Sequence, residues 1–277
     1  MTAAHHDGTS PGTAGPGRTR PPALAGDGPL LLAHRGFSRD GLENTLPAFA
    51  AALELGADLV ETDVHTTADG VLVAFHDDRL DRVTDAEGEL ARTPWSVVSR
   101  ARIGGREAVP RLADVLEALP GARLNIDVKA PGAVEPLADL LRRTGAWRRV
   151  VVASFSERRR RAVLAGLPAA TAASAGAPLV AAVVGAVRAP LPAAARRRAV
   201  ARALAGVDVL QVPERVATPA FVRAVHEAGR LVHVWTVDDV PTMHRLLDEG
   251  VDGLVTDRTD LLRRVLDARA GGSGRAR

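Results

Sequence analysis

Eight short apolar runs recur along this chain, and amphipathic segments rich in Ala, Leu and Arg separate them. A strand that is apolar along its whole length is buried on both faces, which is typical of a parallel sheet covered by helices. This alternation predicts an α/β fold, a (β/α)8 TIM barrel in which the strands close into a cylinder inside a ring of helices. A doubly wound sheet is less favoured, because no Gly-rich dinucleotide-binding motif follows an early run.

The predicted elements follow the apolar and amphipathic periodicity of the sequence. The strands are expected at Leu30 to Ala33, Asp58 to Asp63, Arg123 to Val128, Val150 to Ser154, Ala170 to Ser174, Val207 to Val212, Leu231 to Trp235 and Gly253 to Thr256. The helices are expected at Thr45 to Leu55, Ala133 to Thr144, Ser156 to Ala165, Pro178 to Leu204, Thr218 to Ala228, Val240 to Glu249 and Asp260 to Ala268. The small residues of the fifth run are also compatible with a loop or the start of a helix.

One connection, which follows the second strand, is much longer than the others. Between residues 64 and 110 it contains the turn signal Asp69-Gly70 between two apolar runs, then a polar loop and a short helix. We interpret it as a small insertion on one rim of a barrel domain that spans residues 29–269. Residues 1–28, rich in Gly, Pro, Thr and Ala, predict a disordered leader, and residues 270–277 a loose tail.

Composition limits the chemistry that the chain can perform. It has no Cys and no Tyr, so His, Asp, Glu, Arg, Ser or Thr must carry any reaction, and Lys129 is the single lysine among 36 basic residues. The pI of about 10.6 follows from the near absence of groups that titrate between His and Arg, since the formal net charge is only +3. With aromatic residues at 3%, little is available for base stacking, and we expect no nucleic-acid partner.

Targeting signals are missing from the sequence. No apolar block follows a basic start as in a signal peptide, and no run reaches the ~18 apolar residues of a membrane span. We therefore expect a cytoplasmic protein without a membrane span. The sequence predicts no particular oligomeric state.

Charged and histidine side chains follow the predicted strands at their carboxyl ends, where barrel enzymes carry their catalytic groups. In chain order these candidates are His34-Arg35-Gly36, Glu61-Thr62-Asp63, Asp127-Val128-Lys129, Trp235 and Asp257. Residues two apart share a strand face, so Glu61 and Asp63 point the same way, as do Asp127 and Lys129. These side chains are expected to meet at the mouth of the barrel.

Three carboxylates that converge at one mouth repel one another unless a cation neutralises them. All-oxygen ligation by Glu61, Asp63 and Asp127 suits a hard divalent ion, Mg²⁺ or Ca²⁺, better than zinc. The alternative is that these carboxylates pair with some of the many arginines. The coincidence of three at strand ends favours a metal site.

His34 and His76 are the candidate proton-transfer groups, because histidine titrates near neutrality. His76 ends an apolar run and precedes Asp77, which could orient its ring. Arg35 offers a planar fork suited to two phosphate oxygens. A hard cation, two histidines, an arginine and a lysine together indicate phosphate-ester chemistry.

The run LLAHRGFSRDGLENTLPAFAAALELGADLVETDVHTTADGVLVAFHDDRLDRVT resembles the signature of the glycerophosphodiester phosphodiesterase family. The later blocks VPRLADVLEAL, LNIDVK, VVVASF, VHVWTVDD and GLVTDR are similar to those of the family in the same order, so the resemblance covers residues 30–262. It implies a metal-dependent barrel enzyme that hydrolyses glycerophosphodiesters to sn-glycerol 3-phosphate and an alcohol.

The resemblance also implies a role for each matched residue. His34 and His76 match the acid/base pair, Arg35 the phosphate-contacting arginine, Lys129 the active-site lysine and Trp235 the aromatic wall near the glycerol. Glu61, Asp63 and Asp127 match the metal ligands, although the third position more often holds Glu. Two alternatives stay open: a lysophospholipase D-type hydrolase, and a non-catalytic barrel that binds phosphorylated ligands.

Several other residues are expected to have structural roles. Glu43-Asn44-Thr45 matches a motif of the family but resembles a helix cap. His65 is expected to be solvated and His233 to pack inside the barrel. Arg158 to Arg161 are expected to form a solvated outer surface, and Asp257 either to cap the last helix or to touch the site from the rim.

Overall fold

The computed structural model describes residues 20–38 and 40–273. Its strands are β1 (Leu30–Ala33), β2 (Leu59–Thr66), β3 (Leu72–Ala74), β4 (Arg102–Ile103), β5 (Glu107–Ala108), β6 (Leu124–Val128), β7 (Val150–Ala153), β8 (Ala172–Ala173), β9 (Val209–Pro213), β10 (Leu231–Trp235) and β11 (Gly253–Thr256). Its α-helices are α1 (Leu46–Glu54), α2 (Trp95–Val98), α3 (Leu112–Ala118), α4 (Val134–Thr144), α5 (Glu157–Ala165), α6 (Ala177–Arg188), α7 (Ala193–Ala203), α8 (Pro219–Glu227), α9 (Val240–Asp248) and α10 (Thr259–Ser273).

Eight parallel strands form the barrel, in the order β8-β7-β6-β2-β1-β11-β10-β9. A parallel bridge between Ser174 and Val209 joins the two ends of this sheet and closes the cylinder. The predicted (β/α)8 barrel is therefore confirmed. The fifth predicted strand is present but short, because β8 pairs over only two residues before that bridge.

Successive side chains along each strand point alternately into the barrel and out towards the helices, which gives one apolar layer inside the barrel and another outside it. Inward-facing residues fill the base of the barrel, among them Leu30, Leu32, Leu59, Val209 and Val255. The outward faces of the strands pack against the helices in two larger clusters. Because the base is filled by apolar side chains, a ligand can enter the barrel only from the opposite end, where the strands terminate.

The helix predicted at 178–204 is wrong as a single element. It consists of α6 and α7, separated at residues 189–192. Pro190 and Pro192 lie in that gap, and proline lacks the amide hydrogen and clashes with the preceding helical turn. The two resulting helices pack against each other.

The leader predicted over residues 1–28 is wrong at its carboxyl end. Pro22–Leu24 forms a turn of 3-10 helix in which Ala23 and Leu24 are fully buried at the base of the barrel. At the other end, α10 continues to Ser273, beyond the predicted start of the tail at 270. The remainder of both predictions, residues 1–19 and 274–277, lies outside the described residues.

The insertion after β2 begins as the predicted hairpin, because β3 pairs antiparallel with β2. It has an apolar cluster of its own, which includes Phe75, Leu80, Leu90, Val98 and Ile103. These side chains are buried against one another within the insertion. In the described part of the chain, no helix has the length and apolar character needed to cross a bilayer.

Candidate active site

A cavity of about 510 Å³ opens at the carboxyl ends of the barrel strands. The eight residues to which the resemblance assigns a role in the site all line it, whereas Asp257 does not. They are His34, Arg35, Glu61, Asp63, His76, Asp127, Lys129 and Trp235. The structure thus brings together groups that are up to 201 residues apart in the chain, as the strand-end pattern predicts.

His34 follows β1 and is held by a carboxylate from the far end of the chain. Its Nδ1 lies 2.8 Å from Asp257 Oδ1, so Asp257 touches the site. The backbone N–H of Asp257 in turn donates to Asp238 Oδ1 at 2.8 Å, which fixes the position of Asp257. Burial opposes protonation of His34, but the Asp257 hydrogen bond and the charge of Glu61 outweigh it and raise its pKa.

His76 forms a second histidine–carboxylate pair across the cavity wall. Its Nδ1 lies 2.6 Å from Asp77 Oδ1. Arg82 donates to both Asp77 oxygens, and these hydrogen bonds lower the pKa of Asp77 to about 2. Asp77 therefore stays ionised and holds the His76 ring in one orientation. The expectation for His65 is wrong: it is buried beneath this turn, and its Nε2 contacts the His76 carbonyl oxygen at 3.0 Å.

The loop between β1 and α1 carries more of the site than the sequence indicates. Thr45 is the helix N-cap, accepting from Ala48 N as expected. Asn44, however, has a φ of 57° and donates from Nδ2 to Asp63 Oδ2 at 3.2 Å. Glu43 accepts from Arg35 Nη1 at 2.9 Å and also pairs with Arg82. Only Thr45 of this tripeptide is therefore a simple helix cap.

Asp63 and Asp127 share one ammonium group. Lys129 Nζ lies 2.8 Å from Asp63 Oδ1 and 2.8 Å from Asp127 Oδ2. Arg35 Nε is 3.3 Å from Asp63 Oδ2. Burial raises the pKa of Asp63, but Lys129 and Arg35 outweigh burial and the pKa lies below its ordinary value. The alternative in which these carboxylates pair with arginine is thus realised at Asp63 through Arg35.

The negative charge of Glu61 is neutralised less completely than that of Asp63. It accepts the backbone N–H of Arg35 at 3.0 Å, yet burial and the charge of Asp63 raise its pKa to about 8. Asp127 Oδ1 is buried and has no hydrogen-bond partner within the described structure. An unsatisfied carboxylate oxygen beside Glu61 and Asp63 gives a donor set that fits a hard cation. Among the described residues, no three such side chains are already arranged in metal-binding geometry.

The far half of the cavity is apolar. Ala177, Val180, Ala181 and Val184 line it at the spacing of one helix face on α6. Phe155 stands at the mouth with its side chain 56% exposed and meets Trp235 edge-to-face at 5.8 Å. The cavity therefore has a charged end and an apolar end.

Sequence reasoning missed several residues of the site and misplaced one group. Glu43, Asn44, Arg82 and Phe155 were not predicted as site residues, although all four lie within the motifs that match the family. The expected solvated surface at Arg158 to Arg161 is wrong for Arg160, which is buried and donates to Glu157. Because all four residues of that run are arginine, the sequence does not show which of them faces inward.

A closed (β/α)8 barrel with two histidine–carboxylate pairs, an arginine and a lysine around one cavity defines the class of a phosphate-ester enzyme. The chain belongs to the glycerophosphoryl diester phosphodiesterase family, whose model matches residues 34–261. This match confirms the family resemblance.

Individual relatives agree with the family assignment. The chain is 44% identical over 255 residues to a Mycobacterium tuberculosis protein named "Probable glycerophosphodiester phosphodiesterase 2", covering 89% of this chain and 94% of that protein. It is 30% identical over 248 residues to a glycerophosphodiester phosphodiesterase of Caldanaerobacter subterraneus subsp. tengcongensis, covering 84% and 96%. The crystal structure of a glycerophosphodiester phosphodiesterase from Agrobacterium tumefaciens matches with a TM-score of 0.71 at 27% identity, covering 86% of this chain and 99% of that one.

Proposed function

We propose that this protein hydrolyses glycerophosphodiesters to sn-glycerol 3-phosphate and an alcohol. The observation that carries the proposal is the convergence of His34, Arg35, His76 and Lys129 on one cavity, each fixed by a carboxylate. Two positioned imidazoles supply an acid and a base, and two cationic groups face the phosphate. A binding barrel without catalysis would not require both histidine pairs.

In the proposed mechanism the glycerol 2-hydroxyl attacks phosphorus and forms a cyclic phosphate. One histidine accepts the hydroxyl proton as the new P–O bond forms, and the other donates a proton to the departing alcohol oxygen as its P–O bond breaks. Water then opens the ring, and the two histidines exchange roles. Arg35 and Lys129 stabilise the negative charge on the phosphoryl oxygens, and Trp235 forms the wall beside the glycerol.

Glu61, Asp63 and Asp127 would hold one divalent cation, Mg²⁺ or Ca²⁺. When bound, it would supply positive charge against the phosphoryl group in addition to that of the basic side chains. The unpartnered Oδ1 of Asp127 and the all-oxygen donor set support this assignment. Lys129 already neutralises part of the negative charge, which favours a single ion.

The test is incubation of the purified protein with glycerophosphocholine or glycerophosphoethanolamine and detection of sn-glycerol 3-phosphate. Protein stripped with a chelator is assayed again after each metal is restored separately. We expect turnover to require the cation and to be lost in His76→Ala, whereas His244→Ala on α9 retains it. Full activity in the stripped enzyme or in His76→Ala would overturn the mechanism.

A second candidate is cleavage of lysophospholipids, and one observation favours it. In the insertion Val98 and Ile103 are buried and Val97 is 45% exposed. By contrast, α6 provides an apolar wall inside the cavity through Val180 and Val184. An acyl chain attached to the diester could lie there. A lower KM for lysophosphatidylcholine than for glycerophosphocholine would support this candidate, and no turnover of the acylated substrate would exclude it.

A further inference from the structure

Residues 158–207 have the most uneven charge in the chain. They contain nine arginines and neither Asp nor Glu. Because the whole chain has 36 basic and 33 acidic residues, the remainder carries 27 basic against 33 acidic residues and is net negative. Positive charge is therefore concentrated on the sector of the barrel from α5 to α7.

Most of these arginines have no acidic partner within the described residues. Arg160 and Arg161 pair with Glu157 and Arg159 donates to the Val128 carbonyl. The unpaired ones are Arg158, Arg188, Arg196, Arg197, Arg198 and Arg202. Guanidinium groups that are free of internal partners remain available to an external anion.

The same sector exposes an apolar helix. Between residues 177 and 195, Arg188 is the only side chain with a polar atom. On α6, Pro178 and Ala182 are exposed, as are Ala177 and Ala181 where the helix lines the cavity, and Leu191 in the following segment is 39% exposed. A helix on the outside of a barrel ordinarily presents polar side chains to water, so this composition indicates an interaction surface.

The apolar surface is continuous with the cavity. Ala181 and Val184 of α6 line the cavity, and exposed Phe155 stands at the same mouth. At 12 residues, α6 is about 18 Å long, which is too short to cross a bilayer. A helix of this length with flanking arginines can lie in the headgroup region instead.

We propose that this face, made of α6, residues 189–192 and the arginines of α7, docks on the surface of an anionic lipid bilayer. Exposed apolar side chains insert at the headgroup boundary while the arginines contact lipid phosphates. A single-stranded nucleic acid would meet the same charge but binds by stacking on aromatic side chains, and among the described residues at this mouth only Phe155 is an exposed aromatic. Docking brings the mouth of the cavity to the lipid surface.

Vesicle co-sedimentation of the full chain tests the proposal without any substrate, so its outcome is independent of the proposed hydrolysis. We expect binding to vesicles of equal parts phosphatidylcholine and phosphatidylglycerol, weaker binding at high salt, and little binding to phosphatidylcholine alone. The triple variant R196Q/R197Q/R198Q should bind the anionic vesicles on the order of 100-fold more weakly. Leu191→Asp should also lower the affinity.

Matched controls lie on the insertion, away from this face. R92Q/R100Q/R106Q removes the same charge as the triple variant on α7. Val97→Asp, at a side chain 45% exposed, makes the same apolar-to-acidic change as Leu191→Asp. Both controls should bind anionic vesicles like the wild type. All four variants should cleave glycerophosphocholine in solution normally. No binding to anionic vesicles, or equal losses in control and test variants, would overturn the proposal. Binding to single-stranded DNA but not to vesicles would also overturn it. The same holds if the protein does not bind vesicles and instead forms a dimer that Leu191→Asp dissociates.

Discussion

Lys129 lies where a compact cation is needed. Its Nζ contacts Asp63 and Asp127 at 2.8 Å each and lies 5.7 Å from the centre of the Phe155 ring. A guanidinium is planar and wider than an ammonium, so arginine here would displace a carboxylate or the ring. We expect Lys129→Arg to lower kcat for glycerophosphocholine about 100-fold, because the charges around phosphorus would be misplaced. Steady-state kinetics at saturating substrate measure this.

The matched control for Lys129→Arg is Arg106→Lys, the reverse exchange on the exposed surface of the insertion. It should leave kcat unchanged, and both variants should keep the thermal transition of the wild type. A near-normal kcat in Lys129→Arg would show that the single lysine of the chain has no geometric role.

Asp257 is a positioning residue for His34. Its carboxylate holds Nδ1 at 2.8 Å and raises the pKa of the ring. We expect Asp257→Asn to lower kcat about 10- to 100-fold with little change in KM, because the imidazole loses its fixed orientation. The limb of the pH–rate profile that reports His34 should also move to lower pH, since a stabilising negative charge is removed.

Asp267→Asn on α10 makes the same chemical change at an exposed carboxylate that pairs with Arg263. Its kinetics and pH profile should match those of the wild type. If Asp257→Asn lowers kcat without moving either pH limb, the contact with His34 is structural rather than electrostatic.

The strand-borne residues of the site could be predicted from spacing alone. Glu61 and Asp63 share a face because side chains alternate along a strand, and Asp127 pairs in register with Asp63 on the neighbouring strand. The contacts of Asn44 and Glu43 could not be predicted in this way. They depend on a left-handed backbone at Asn44 and on Arg82, which lies 39 residues further along the chain.

The strands were predictable because each is buried on both faces and its sequence is therefore an apolar run. The break between α6 and α7 could have been recognised from Pro190 and Pro192, but the Ala-rich composition on both sides hides the change of direction. The turn Pro22–Leu24 has no periodicity, and its burial depends on the closed barrel above it. Burial that depends on such tertiary packing leaves no pattern in the local sequence.

The 3-10 turn should contribute to the stability of the whole barrel. Leu24 is fully buried and packs in the same cluster as Leu30, Leu59 and Val151. We expect Leu24→Ala to lower the free energy of unfolding by about 2–5 kcal/mol, because a cavity is left at the base. Urea unfolding followed by circular dichroism measures this. Val97→Ala, at an exposed site, should change it by less than about 0.5 kcal/mol, and equal effects of the two would contradict a structural role for the turn.

The active-site groups lie at one end of the barrel, whereas His233 is a titratable side chain buried away from them. It is fully buried on β10 near the apolar base, in space that Gly253 leaves open; a Cβ at Gly253 would approach the ring to 2.8 Å. Within the described structure, neither ring nitrogen has a hydrogen-bond partner, which agrees with the expected packing role. Burial lowers the pKa of His233 to about 4, against a smaller effect of Asp252 and with a further lowering by Arg20.

This histidine should make the fold sensitive to mild acid. Between about pH 6.5 and 4 the unfolded chain binds a proton at His233 that the folded chain does not, so stability falls as the pH falls, by about 3 kcal/mol over the whole interval. We expect His233→Leu to lose that part of the pH dependence, because it removes the titrating ring from an apolar site. Urea unfolding at several pH values measures the difference. Val97→Leu, at an exposed site, should keep the slope of the wild type, and an unchanged slope in His233→Leu would place the acid sensitivity in other titratable groups instead.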